Sequence, residues 1–163
     1  MIPCGGARVH LLLRPVDVDS VKRKVIEKHG TYIPHLAHMY LDIVISSPET
    51  QQKLSYARTR TEEDGSFLFR DLPPDRWYYV TAQALTEQVM VSWQIGVYLR
   101  EAERVQVVLT NTNAALPVYL SASQPPARET GPLRIPFNES GSFAKDSNST
   151  YCRLRVPLTV ARG

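Results

Sequence analysis

A chain of 163 residues with 43% apolar side chains fits one domain and can bury a sizeable core, which argues against disorder of the whole chain. The formal net charge of +3 is shared among interspersed basic and acidic residues, so a nucleic-acid partner, which needs a concentrated basic surface, is not expected. Short runs of β-branched and aromatic residues, with 12 prolines against 8 glycines, favour strands over helices. We expect an all-β protein.

No apolar stretch approaches the roughly 18 residues of a membrane span, so no transmembrane segment is expected. The run Leu11-Leu12-Leu13 is too short for the core of a signal peptide. Peripheral association with a membrane stays open.

The two cysteines, Cys4 and Cys152, lie near opposite ends of the chain and lack the CxxC spacing of metal and redox sites. Three alternatives stay open for them. They can form one disulfide, Cys4 can be lipidated ahead of Gly5-Gly6, or the thiols can be free.

The first two predicted elements are a strand and a helix. Residues 7–14 form an apolar run that predicts a first strand covered on both faces. The only helix expected follows, with Asp17 or Asp19 as its cap and Gly30 as its stop. We expect this short helix to pack on a sheet edge. Its apolar positions at i, i+3 and i+7 are Val18, Val21 and Val25.

Two further strands are predicted in the next 30 residues or so. Alternating apolar residues predict one over residues 39–45, and residues 51–53 fall in a loop. Residues 56–61 form the other. Asp64-Gly65 can then take the positive φ angles of a tight hairpin turn before a strand that carries two phenylalanines.

Residues 77–85 predict an aromatic-rich strand, and the clearest periodicity follows in residues 89–99. Apolar side chains occupy every second position there, which predicts one buried and one wet face. Trp93 falls in the apolar row and is expected in the core, whereas Tyr98 falls in the polar row and is expected at the surface. A strand with Val105, Val107 and Leu109 continues the pattern.

The composition changes after about residue 120. We expect a β-sandwich domain over residues 1–120, a proline-rich extended arm over 121–150 and a returning edge strand over 151–163. Pro157 is the reason for placing that strand at an edge, because proline cannot donate to a ladder. Candidate interface residues are Tyr98 and, in the arm, Pro125, Pro126, Ile135 and Phe137.

The segment 59–82 carries the pattern D-G-x-F-x-F, followed by Leu-Pro-Pro and an aromatic strand. This pattern resembles the signature of transthyretin-like, carboxypeptidase-regulatory-like domains and collagen-adhesin B-type domains. The resemblance covers about residues 39–110, and Asp75 stands where the family usually has glycine. The signature residues are Asp64, Gly65, Phe67, Phe69, Leu72, Pro73 and Pro74.

The resemblance implies a seven-stranded Greek-key sandwich, commonly found outside the cytoplasm as an accessory, adhesion or stalk-like module. To it we add one short helix near the N-terminus and the extended C-terminal arm. A periplasmic or extracellular location is therefore expected, with the cytoplasm as the alternative. A fold does not by itself fix a function.

Enzymes with related sandwiches do not match these residues. Intradiol dioxygenases need two histidines downstream of the glycine turn, whereas all four histidines here lie upstream. Hydroxyisourate hydrolases end in Tyr-Arg-Gly-Ser, but this chain ends in Ala161-Arg162-Gly163. No catalytic residue and no cofactor are expected. The four histidines are His10, His29, His35 and His38.

His35, His38 and Asp42 are the weak candidates for a metal site, because imidazoles three residues apart share a face of a helix. A strand would instead point the two rings to opposite faces. The predicted function is a non-catalytic protein-interaction module, an accessory or structural subunit of a cell-envelope or extracellular assembly. The alternatives are a carbohydrate or small-ligand module and a metal-dependent activity at His35 and His38.

Overall fold

Eight strands and three α-helices make up the part of the chain that the computed structural model describes, namely residues 5–86 and 88–121 and the backbone of 154–160. The protein is β-rich, as expected. The strands are β1 (Arg8–Leu12), β2 (Ser55–Arg60), β3 (Phe69–Leu72), β4 (Arg76–Leu85), β5 (Val89–Leu99), β6 (Arg104–Leu109), β7 (Tyr119–Leu120) and β8 (Leu154–Val160). The helices are α1 (Val18–His29), α2 (Pro34–Ser46) and α3 (Pro48–Lys53).

The strands form two sheets. The larger sheet is antiparallel, with the order β2-β1-β4-β5-β7, and the smaller sheet has the order β3-β8-β6, in which β3 and β8 are parallel. The long β4–β5 hairpin is the centre of the larger sheet and runs in register from Arg76 opposite Leu99 to Leu85 opposite Met90. The described residues thus include eight strands, one more than the seven expected.

A hydrophobic core lies between the two sheets, because alternate side chains of each strand point to the same side. Trp93 is fully buried in it, as its place in the apolar row predicts, and its Nε1–H donates to the Thr110 carbonyl at 2.7 Å. Both phenylalanines of the signature are buried here, 5.3 Å apart between ring centroids. Other members of this core are Val9, Leu11, Leu72, Tyr78, Val80, Val91, Leu99, Val107 and Leu109.

A second core lies on the opposite face of the larger sheet, beneath the helices. It joins Leu12 of β1 to Val21 and Val25 of α1 and to Leu41 and Ile45 of α2. The architecture therefore has three layers: helices, the larger sheet and the smaller sheet. The larger sheet is covered on both faces over much of its area.

The signature turn takes the local conformation that its residues favour. Gly65 has φ 76°, and its N–H donates to the Glu62 carbonyl at 2.9 Å. Asp75 has φ 56°, which agrees with the tolerance of aspartate for the left-handed region at the position where the family has glycine. The chain passes from the smaller to the larger sheet at this corner, between β3 and β4. The turn at Gly65, however, links β2 and β3 of different sheets, so it does not close a hairpin.

The predicted strand over residues 39–45 is wrong, because this segment lies in α2. The apolar residues of this segment fit the period of a strand as well as that of a helix. Every second residue is apolar, as in a strand, but Ala37, Leu41 and Ile45 recur every fourth residue, as in a helix, and these are the buried apolar residues. Pro34 at the first helical position favours the helix, since its fixed φ suits that site. Residues 51–53 were expected in a loop but are helical, because they lie in α3. The side chain of Ser47 caps the N-terminus of this helix by accepting from the Thr50 N–H.

The helix α1 has the predicted ends: Asp17 accepts from the Ser20 N–H, and Gly30 has φ 75°. We expected α1 to pack on a sheet edge. In the structure its main partner is α2, and Val21 and Val25 belong to the core beneath the helices.

Two other expectations need correction. The polar row of β5 is exposed only at its C-terminal end, because Ser92 is fully buried beneath α2 whereas Gly96 and Tyr98 are exposed. Strand β8 is not an edge strand, since it lies between β3 and β6. Pro157 is opposite Gln106 of β6, whereas the ladder to β3 begins at Leu158. Proline has no N–H to donate to a ladder. Within the described strands, Pro157 lies where β8 pairs with β6 but not yet with β3.

Candidate functional site

Three aromatic side chains gather on the surface of the larger sheet, and we call Trp77, Tyr79 and Tyr98 the aromatic platform. Trp77 of β4 is directly opposite Tyr98 of β5. Their ring centroids lie 5.7 Å apart at an interplanar angle of 70°, and the Trp77 and Tyr79 rings stack at 6.4 Å and 22°. Trp77 is 53% exposed and Tyr98 is 41% exposed. Two large rings in contact therefore face solvent together.

Strand alternation places the platform on the helix-bearing face of the sheet. Tyr78 and Val80 point into the core between the sheets, so Trp77 and Tyr79 must point the other way. Tyr79 packs against the core beneath the helices. Trp77 and Tyr98 lie where that cover ends, which explains their exposure.

Gly96 gives the platform its room. A Cβ atom at this position would lie 3.2 Å from Cε1 of Tyr79 and 3.5 Å from Cζ3 of Trp77. The first distance is tighter than ordinary van der Waals contact, so any larger residue would displace the Tyr79 ring. The two rings thus rest over the bare backbone of β5.

A cavity of about 660 Å³ opens beside Trp77. Its charged wall carries three cations, Arg14, Lys53 and Arg76, against one carboxylate, Asp75. Leu13 and Leu54 complete the lining. The arrangement offers a large aromatic surface with a basic rim, which suits a ligand that presents apolar groups together with negative charge.

Tyr98 is exposed, as its place in the polar row predicts. The exposure of Trp77 was not predicted. The signal was present in residues 77–85, because Val80, Ala82 and Ala84 form the inward row, and the same alternation assigns position 77 to the outward row.

His38 belongs to a buried polar network and not to an open site. Its Nδ1 lies 2.8 Å from Oγ of Ser92, and its Nε2 lies 2.8 Å from the Pro117 carbonyl oxygen. A carbonyl can only accept, so Nε2 carries the proton of the neutral ring and Nδ1 accepts from the Ser92 hydroxyl. The side chain of Gln83 donates to the same hydroxyl at 3.3 Å. Burial lowers the pKa of His38, and the Pro117 carbonyl partly opposes this effect.

The structure does not bring the three metal candidates together. The ring of His35 packs against Tyr119 at 5.3 Å between centroids, and Asp42 forms an ion pair with Arg8 at 2.7 Å. Both nitrogens of His38 are occupied, as described above. Among the described residues, no group of three or more His, Cys, Asp or Glu side chains could hold a metal ion.

Several predicted residues lie outside the described part of the chain, so the structure does not bear on them. They are the two cysteines, Cys4 and Cys152, and the arm candidates Pro125, Pro126, Ile135 and Phe137.

None of the helices in the described ranges is long and apolar enough to cross a bilayer. Comparison of the chain with models of protein families, with curated proteins and with solved structures found no match.

Proposed function

We propose that this chain is a non-catalytic protein-interaction module that binds an acidic segment of another polypeptide through the aromatic platform. The observation that carries the proposal is the contact between the exposed rings of Trp77 and Tyr98. Tryptophan, tyrosine and arginine are the residues most enriched where protein interfaces concentrate their binding energy. A neighbouring pair of such rings offers a surface that gains by being covered.

The basic rim supports the choice of an acidic partner. Arg14 and Arg76 outnumber Asp75 around the cavity beside Trp77, and Lys53 adds a third cation that pairs with Glu49 at 2.9 Å. Complementary charge speeds encounter and selects the partner, while the desolvated rings contribute most of the affinity. A segment that carries both an apolar anchor and carboxylates fits this surface best.

The non-catalytic assignment is supported by the placement of the histidine and serine pair. Ser92 is 0% exposed and His38 is 0% exposed. A nucleophile must reach its substrate, so this pair serves the fold.

We also propose that the two sheets form a transthyretin-like Greek-key sandwich to which the helices have been added. The left-handed Gly65, the two buried phenylalanines and the crossing between sheets at residues 73–75 support this assignment. On the same grounds we propose an accessory or structural role in a periplasmic or extracellular assembly.

The proposal is tested by affinity capture from a native extract with the wild-type chain and three variants. We expect Tyr98→Ser to lose the captured partner. Tyr56→Ser should retain it, because Tyr56 is a comparably exposed tyrosine, at 44%, on strand β2. Retention of the same partner by Tyr98→Ser and by Trp77→Ser, both folded by circular dichroism, would refute the platform as the interface.

A carbohydrate is the second candidate ligand for the platform. Sugar-binding modules need at least two outward aromatics beside a concave polar surface, and Trp77 and Tyr98 with the adjoining cavity satisfy that condition. A glycan array separates the two functions. Glycan binding that Tyr98→Ser abolishes would replace the protein-binding function, and the absence of any bound glycan would leave it in place.

A further inference from the structure

A second cavity, of about 480 Å³, lies on the same face of the larger sheet between β1, β2 and the ends of two helices. We call it the basic cleft. Ser46 lines it from the end of α2 and Gln51 from α3. Its other lining residues come from the strands and are Arg8, His10, Arg58, Thr59 and Arg60.

The pairing of β1 with β2 sets basic side chains directly opposite one another. Arg8 is opposite Arg60, and His10 is opposite Arg58. Like charges in directly opposite positions destabilise a pair of strands. The pair of Arg8 and Arg60 at the mouth of a cavity therefore carries a local cost that a bound anion would reduce.

The positive charge of the cleft is only partly neutralised. Asp42 forms an ion pair with Arg8 at 2.7 Å. No acidic side chain of the described residues lies within ion-pair distance of Arg58 or Arg60. Three guanidinium groups and one carboxylate give a net charge of 3 − 1 = +2.

His10 does not add to this net charge above neutral pH. Burial lowers its pKa below the usual 6.5, and the charges of Arg8 and Arg58 lower it further. The amide nitrogen of Gln51 lies 3.4 Å from Nδ1 of His10 and donates to the Ile45 carbonyl at 2.7 Å. The floor of the cleft is thereby fixed by contacts within the protein.

The guanidinium groups retain free donors. Arg60 uses one N–H on the Gly6 carbonyl, at 3.2 Å, and a guanidinium has five. Strand β2 is the last strand of its sheet, so the described residues leave the outer side of the cleft open to solvent. An incoming anion therefore finds donors and a path.

We propose that the basic cleft binds a small molecule through a phosphate monoester group. Such a group carries a charge of about −1.5 to −2 at pH 7 and matches the +2 of the cleft, whereas one carboxylate would leave half of it unbalanced. Arginine suits the task because its planar fork binds phosphate oxygens in pairs. The cavity is larger than a phosphate group and lies in the range of small-molecule sites, so it has room for the organic part.

The test is calorimetric titration of the full chain with glycerol 3-phosphate and ribose 5-phosphate, each compared with its dephosphorylated parent. We expect the two phosphates to bind and the parents not to bind. Arg58→Gln and Arg60→Gln should each weaken binding about tenfold or more, since each removes charge-assisted hydrogen bonds. Arg104→Gln is the matched control, because it removes an exposed strand arginine from β6 of the other sheet, and it should bind normally.

The melting temperature of each variant separates a loss of binding from a loss of folding. Arg60→Gln should melt at the wild-type temperature or above it, because it removes a like-charge neighbour of Arg8. Arg58→Gln should melt near the wild-type temperature, because Arg58 has no acidic partner among the described residues to lose. Loss of binding with a native melting temperature places the ligand in the cleft. The proposal is overturned if the wild type and the three arginine variants bind equally, or if neither monoester binds. A phosphoserine peptide and vesicles with phosphatidic acid are titrated as well, and binding confined to either of them would also overturn it. The platform is not involved, so Tyr98→Ser should bind both monoesters normally.

Discussion

Nδ1 of His38 and Oγ of Ser92 lie 2.8 Å apart in the interior, and this contact ties helix α2 to strand β5. The same ring holds the Pro117 carbonyl through Nε2 at 2.8 Å. One side chain therefore joins the helix layer, the larger sheet and the segment that leads to β7. The platform depends on this arrangement, because it lies on the same face of the sheet as α2.

Removing the hydroxyl of Ser92 should destabilise the fold. Ser92→Ala leaves Nδ1 of His38 without a buried partner, and an unsatisfied buried group costs about 1–3 kcal/mol. The Gln83 amide keeps only its longer hydrogen bond to the His38 carbonyl, at 3.5 Å. Urea unfolding measures this loss. Ser46→Ala, at an exposed position of α2, should change the free energy of unfolding by less than about 0.5 kcal/mol. Equal effects of the two substitutions would show that the network does not hold the layers together.

Acid should weaken the fold as pH falls below about 6.5. The pKa values of His38 and His10 are both lowered from 6.5 in the folded protein, chiefly by burial. The unfolded chain then binds more protons than the folded chain below pH 6.5, so the free energy of unfolding decreases there. Urea midpoints measured at pH 7.5, 6.5 and 5.5 report the slope. His38→Asn should flatten the slope, and an unchanged slope in this variant would contradict the prediction.

Reversing one charge of the cross-strand pair should stabilise the sheet. Arg60→Glu replaces a like-charge neighbour of Arg8 with an opposite charge, and such pairs contribute roughly 0.2–1 kcal/mol. The gain in free energy of unfolding should shrink in 1 M NaCl, where the Debye length is about 3 Å. Arg104→Glu, in the other sheet, should give no comparable gain. A loss of stability in Arg60→Glu would contradict the assigned register.

Adding a methyl group at Gly96 should disturb the platform. The Cβ of Gly96→Ala would lie 3.2 Å from the Tyr79 ring, and such overpacking typically costs about 1–3 kcal/mol. The indole N–H resonance of Trp77 should shift. Gly30→Ala is a useful control, because its strain comes from φ +75° at a helix end. It should lower stability and leave the Trp77 resonance in place.

Local signals predicted much of the strand framework. The strand β5 follows from the alternation in residues 89–99, and the ends of α1 follow from Asp17 and Gly30. Helix α2 could not be separated from a strand, because its apolar residues fit both periods. The wet face predicted for β5 was wrong at Ser92 for the same reason, since Ser92 packs beneath a helix that was not expected.

The candidate sites depended on contacts that local patterns do not encode. His38 and Ser92 are 54 residues apart in sequence, as are Gly6 and Arg60. In the sequence alone, Arg58 and Arg60 look like ordinary polar residues of a strand. Only the register with Arg8 and His10 turns them into a basic cleft. Tyr98 was predictable from its place in the polar row, and it is exposed because it also lies beyond the cover of the helices.

Site-specific photo-crosslinking tests the central claim, that the aromatic platform is the surface that binds another protein. A photo-reactive phenylalanine derivative is placed at Tyr98 in one version of the chain and at the comparably exposed Tyr56 in another, and both are irradiated in the native extract. We expect a single discrete adduct from position 98 and none from position 56. An adduct from position 56 alone, or none from either position, would contradict the account.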